Sequence, residues 1–109
     1  VVDIYCYKQY TIIMKQISFS WDKQKDLQNS KKHGVSFEEA STIFYDKNAR
    51  LIYDPDHSKS EDRFILLGTS AKLRLLLVCH CYKKNDKVVR IISARKANKY
   101  EAKQYGEFL

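Results

Sequence analysis

The sequence predicts an α+β domain, with two helices in its first half, an antiparallel four-stranded meander, and a closing helix. Three observations lead there. Helix caps and helical-period apolar residues are confined to residues 21–46 and 94–105. Four runs rich in Leu, Ile and Val fill residues 50–94 with short polar breaks between them, the pattern of strands joined by hairpins. At 109 residues and 44% hydrophobic content, the chain can bury one modest core and no second one.

In chain order, Trp21 and Asp22 open a polar stretch in which Leu27 is the only strongly apolar residue and Gly34 supplies a C-terminal stop. This predicts a short amphipathic helix over residues 22–33. Ser36 and Glu39 then have capping-box spacing, in which hydroxyl and carboxylate reciprocally satisfy free amides at the start of a second helix running to about Asp46. Phe37, Ala40, Ile43 and Phe44 fall on one helical stripe, which is a core face. Strands are predicted over residues 50–53, 63–68, 73–82 and 87–94. A last helix starts at Ser93 or Ala94, with Ala97, Tyr100, Glu101 and Tyr105 at helical intervals. Arg95, Lys99 and Lys103 form a cationic stripe along it.

Strand parity assigns side chains to sheet faces. If Tyr82 pairs with Lys87 and Gly68 with Leu73, one face carries Phe64, Leu66, Leu75, Leu77, Cys79, Cys81, Val88 and Ile92, and helices should cover it. The other carries Glu61, Arg63, Arg74, His80, Tyr82, Ser93 and Arg95 beside Ile65, Leu76, Val78 and Ile91. Arg90 falls on the apolar face, a flaw in this register, and a one-residue slip reverses every assignment.

Charge narrows the range of functions. Lys and Arg number 20 against 13 Asp and Glu, a net of +7, which points to a polyanion or an acidic partner. The surplus is uneven. Residues 36–63 carry seven acids and four bases, whereas residues 83–103 carry eight bases and two acids. The longest apolar run, residues 75–79, falls far short of the roughly 20 residues a membrane helix needs, so no membrane partner is expected. Residues 1–14 lack the cationic start of a secretory signal. An odd set of cysteines, Cys6, Cys79 and Cys81, favours a reducing compartment, with the cytoplasm as default. No metal or cofactor is implied. In Cys79-His80-Cys81 the thiols and the imidazole project to opposite strand faces, and three scattered glycines build no phosphate loop.

Several motifs carry a family resemblance. Phe19-Ser-Trp-Asp22, Lys32-His-Gly-Val-Ser-Phe-Glu-Glu-Ala40, Asp54-Pro-Asp-His-Ser58, Glu61-Asp-Arg-Phe64, Gly68 and Arg90-Ile-Ile-Ser-Ala-Arg-Lys-Ala97 occur in this order across about residues 17–106. Together they resemble the BrnT family of bacterial type II toxins. The resemblance implies a RelE-like ribonuclease fold, RNA cleavage that arrests translation and growth, and neutralisation by a BrnA-type antitoxin. The antitoxin's ribbon-helix-helix part would bind promoter DNA, so the toxin would meet DNA only through it. The family pattern begins just before Phe19, so Met14 is the expected start of a single domain over residues 14–109, with residues 1–13 upstream sequence or a misplaced start. Cys81-Tyr-Lys83 departs from the more polar sequence usual after His80.

Metal-independent RNA cleavage needs a base for the 2′-hydroxyl proton, an acid for the leaving 5′-oxygen, and cations on the phosphate. Glu61 or His80 is the candidate base, His57 or His80 the candidate acid, and Arg63 with Arg95 the phosphate clamp, since guanidinium is permanently charged and forks onto phosphate oxygens. Lys25, Lys32, His33, Arg90, Lys96 and Lys99 are candidates for backbone binding. Each has a plainer alternative: a strand histidine such as His80 is more often packed, His57 sits in a turn, Arg63 and Glu61 suffice for a surface pair, and His33 suits a helix C-terminus. The rival function is a basic module that binds nucleic acid without cutting it. A helix-turn-helix fits poorly, because Glu38 and Glu39 stand where phosphates would approach.

Overall fold

A computed structural model of the chain describes residues 4–5, 18–54, 61–85 and 87–107. The elements are β1 (Ile4–Tyr5), β2 (Ser18–Ser20), α1 (Lys23–His33), α2 (Phe37–Thr42) with a 3₁₀ turn (Ile43–Tyr45), β3 (Arg50–Asp54), β4 (Arg63–Thr69), β5 (Leu75–Lys83), β6 (Val88–Lys96) and α3 (Lys99–Glu107). They build an α+β fold on one sheet of order β1-β3-β4-β5-β6-β2. The predicted meander β3 to β6 is present and antiparallel. Two additional strands flank it. Two-residue β1 pairs with β3, and β2 runs parallel to β6. A parallel partner needs a long crossover, so Ser18-Phe19-Ser20 carries no hairpin signal that would reveal it.

The helix starts follow their caps. Asp22 accepts from the amides of Gln24 (2.8 Å) and Lys25 (3.1 Å), and Gly34 closes α1 at φ +69°, a left-handed turn that glycine takes without strain. Leu27, however, does not anchor α1; it is 57% exposed. The anchor is Asn29. Its Nδ2 donates to the carbonyls of Ala94 (2.8 Å) and Val35 (2.9 Å), and its Oδ1 accepts from the Ala94 amide (3.1 Å). One side chain thus imitates a neighbouring strand along β6 beyond the three residues that β2 covers.

The second capping box forms by half. Ser36 Oγ accepts from the Glu39 amide (3.1 Å), but the buried Glu39 carboxylate turns to Arg74 and Ser70 instead of back to Ser36. The predicted stripe of Phe37, Ala40, Ile43 and Phe44 packs with Leu51, Leu66, Leu76, Val78, Val89 and Ile91 into the core. Gly68 lies beneath the 3₁₀ turn, where a Cβ would stand 3.1 Å from Ala49 Cβ and 3.3 Å from Ile43 Cβ, so glycine permits the close approach.

The sheet register overturns the predicted faces. Thr69 pairs with Leu75 and Arg63 with Cys81, a shift that reverses the parity of β4 against β5. Phe64, Leu66, Gly68, Leu76, Val78 and His80 share the helix-covered face; Arg63, Ile65, Leu67, Leu77, Cys79 and Cys81 share the other. Arg90 pairs with Cys81 and so leaves the core side, which removes the flaw in the predicted register. A second irregularity follows at Cys79 and His80, where the pairing with β6 slips by one residue. His80 stands opposite Ile91 and Cys79 opposite Ser93, so Ile92 is a bulge. Without it Arg95 would share the core side with Ile91; with it Arg95 shares the face of Arg63. The last helix also starts later than predicted. Arg95 and Lys96 belong to β6, paired with Leu77 and Leu76, so Arg95 is not part of a helical stripe with Lys99 and Lys103.

Candidate active site

On the sheet face away from the core, a cleft of about 250 Å³ is lined by Arg63 and Arg95, by His33 and Asp54, and by a floor that includes Ile65, Leu77, Cys79, Ile92 and Ser93. Each wall has a local cause. Asp54 and Arg63 stand opposite one another across β3 and β4. The bulge places Arg95. Asn29 fixes α1 along β6, so His33, in the last turn of that helix, reaches the rim. A second groove of about 220 Å³, lined by Lys25, Gln28, Asn29, Lys32, His33, Ile92 and Ser93, shares His33, Ile92 and Ser93 with the cleft. The two therefore adjoin, with Lys25 and Lys32 lining one and Arg63 and Arg95 the other.

Arg95 is held bidentately by Glu101, with Nη1 to Oε1 and Nη2 to Oε2 both at 2.8 Å. The pairing raises the guanidinium and holds the Glu101 carboxyl below the usual carboxylate range. Cys79 in the floor is a protonated thiol, because burial pushes its pKa up despite the field of Arg63.

The other predicted site residues divide. His80 does not join the cleft: it is fully buried on the opposite face, edge-on to Phe44 (4.8 Å between centroids) and close to Phe64 and Tyr82. Desolvation lowers its pKa to about 4. The imidazole is therefore neutral, with Nδ1–H donating to the Val78 carbonyl (3.2 Å) and Nε2 accepting from the Tyr82 hydroxyl (3.0 Å). The expectation that Arg63 and His80 share a face fails because the β4–β5 register differs from the hairpin assumed. Glu61 lies just before β4, ion-paired with Lys83, which holds its carboxyl low, and it does not line the cleft. His57 lies outside the described residues, as do residues 1–3 and 6–13 of the expected upstream segment.

Of the candidate backbone binders, Lys25, Lys32 and His33 come together along α1. Arg90 shares the cleft's face but lies outside its lining, Lys96 pairs with Leu76 on the opposite face, and Lys99 is exposed on α3. Three residues escaped the sequence reading: Asp54, seen there only as the start of a motif, Asn29, unremarked in the polar stretch before Gly34, and Glu101, placed only at a helical interval. A signal for Glu101 was present. Asn98 and Glu101 have capping-box spacing, and the box forms in full, with Glu101 N donating to Asn98 Oδ1 (2.8 Å) and Asn98 N to Glu101 Oε1 (2.9 Å).

Fold and cleft together define a small basic α+β protein that gathers two arginines, a histidine and an aspartate on one cleft. The profile described as "Ribonuclease toxin, BrnT, of type II toxin-antitoxin system" matches residues 21–101, and the chain belongs to that family. Among solved structures, the Brucella abortus ribonuclease toxin BrnT is similar in fold, with a TM-score of 0.58 and 24% identity over 76% of this chain and 99% of that one. No curated protein matches the chain. No helix among the described residues is long and apolar enough to cross a membrane.

Proposed function

We propose that the chain is a metal-independent endoribonuclease that cuts RNA by attack of a 2′-hydroxyl on the adjacent phosphate, in the cleft between Arg63 and Arg95. The observation that carries this reading is the convergence of the two guanidiniums with an imidazole and a carboxylate on one cleft. The guanidiniums bind the phosphate and stabilise the charge that grows on it. His33 is the proton-transfer group, since it supplies the imidazole in the cleft lining and His80 is sealed on the other face. Asp54 opposite Arg63 is the carboxylate best placed to act with it. Lys25 and Lys32 bind flanking backbone phosphates, which sets affinity and little sequence preference. Cleavage in the cytoplasm would lower translation and growth. A BrnA-type ribbon-helix-helix antitoxin would cover the cleft and the adjoining groove, and the complex would reach promoter DNA only through that partner.

Purified chain incubated with RNA in EDTA tests the chemistry. Cleavage to 2′,3′-cyclic phosphate ends is expected, lost in Arg63→Ala and Arg95→Ala while both remain folded. His33→Ala should lower kcat while the variant stays folded. RNA that is shifted but left intact would make the chain a binding module instead.

A further inference from the structure

The inference that follows rests on the reading of the cleft as an RNA-phosphate site and concerns how Arg95 is made ready for it. A guanidinium has five N–H donors in a fixed plane. Arg95 Nη1 donates to Glu101 Oε1 (2.8 Å) and to the Lys96 carbonyl (3.2 Å), and Nη2 donates to Glu101 Oε2 (2.8 Å). These bonds occupy the end-on fork. They leave Nε–H and the second Nη2–H, which are adjacent and form the side-on fork of the same group.

Glu101 is itself fixed. Its Oε1 also accepts from the Asn98 amide (2.9 Å), and its own amide donates to Asn98 Oδ1 (2.8 Å), so the carboxylate is part of the cap that begins α3. At the far end of α3 the Tyr105 hydroxyl donates to Asp46 Oδ2 (2.6 Å). The Glu101 side chain is only 16% exposed, against 41% for Arg95. A negative charge beside a phosphate site weakens attraction for RNA, so its presence there calls for a compensating gain. Holding a long, rotamer-rich side chain in one orientation supplies it, because that ordering cost is then met before RNA binds.

We propose that Glu101 is a positioning residue for Arg95: it occupies the end-on fork and so leaves the side-on fork to receive the RNA phosphate. Orientation of the clamp thereby depends on the cap at the start of α3, an element that contributes no side chain to the cleft lining.

A double-mutant cycle between Arg95→Ala and Glu101→Gln tests this, read as kcat and KM on cleavable RNA and as Kd for a 2′-O-methyl RNA that cannot be cut. Tyr105→Phe loosens the far end of α3 without touching Arg95. Glu101→Gln should lower kcat by about tenfold or more, and it should leave Kd unchanged once Arg95 is already Ala, since it acts through that residue. Tyr105→Phe should lower the melting temperature and keep kcat. An equal further loss from Glu101→Gln in the Arg95→Ala background would overturn the positioning role and leave the cleft assignment standing. Tighter RNA binding in Glu101→Gln would also overturn it, making Glu101 a competitor of the phosphate. Full cleavage by Arg95→Ala would remove both the role and the reading of the cleft.

Discussion

Arg63 and His80 lie on opposite sides of the sheet, although their strands are neighbours. Phe64 is the residue that stands opposite His80, while Arg63 stands opposite Cys81. His80 is consequently sealed beneath the helices against Phe44, and Arg63 opens onto the cleft with Arg95. A buried imidazole separated from the arginines by the sheet cannot exchange a proton with a phosphate held between them. It packs as a core residue.

That role has a pH signature. With its folded pKa lowered from 6.5 to about 4, His80 stays neutral in the folded protein while the unfolded chain takes up a proton below about pH 6.5. Stability from this group is therefore complete above pH 6.5 and lost as pH falls toward 4. The loss between pH 7 and pH 5 is expected to be about 2 kcal/mol at 1.36 kcal/mol per pKa unit. Urea unfolding at the two pH values measures it, and His80→Gln should flatten the difference while keeping RNA cleavage per folded molecule.

Glu39 also loses its contribution as pH falls, for a different cause. The hydrogen bond from Arg74, then that from Ser70, holds its carboxyl below the usual 4.5. Its contribution is present above that value and fades as pH falls through the folded pKa. Arg74→Ala strands a buried carboxylate, so it should destabilise the fold more than the double change of Arg74→Ala with Glu39→Gln. Melting temperatures of the two at pH 7 should rank in that order.

Asn29 ties stability to RNA binding. Asn29→Leu removes three hydrogen bonds and leaves the Ala94 amide without that acceptor. A loss of about 2–4 kcal/mol is expected from one or two orphaned buried groups. Because α1 is no longer fixed along β6, RNA affinity should also fall at temperatures where the variant is still folded. Unfolding curves and binding to 2′-O-methyl RNA report the two effects separately.

Lys25 and Lys32 should act as phosphate contacts and nothing more. Replacing either with Ala is expected to weaken binding equally across RNA sequences and to lower the slope of log K against log salt by about 0.7, one single-strand phosphate contact. Titrations between 50 and 200 mM salt, on the order of the range where such contacts dominate, give the slope.

The short-range part of the fold was legible in the sequence. Asp22, Gly34 and Ser36 specify helix ends because a cap acts within a few residues, and the stripe of Phe37, Ala40, Ile43 and Phe44 marks a core face because helical period is local. Residue chemistry made Arg63 and Arg95 candidates, because guanidinium is permanently charged, and both line the cleft. What the sequence could not reveal was register. A strand's faces alternate residue by residue, so a slip at the β4–β5 hairpin exchanges them, and it sent His80 to the core. The bulge at Ile92 is equally silent in the sequence: it lets β6 bury both Ile91 and Ala94, which plain alternation would send to opposite faces. Residue types, caps and charge were determined along the chain; which cations meet across the sheet was decided only by the pairing of strands.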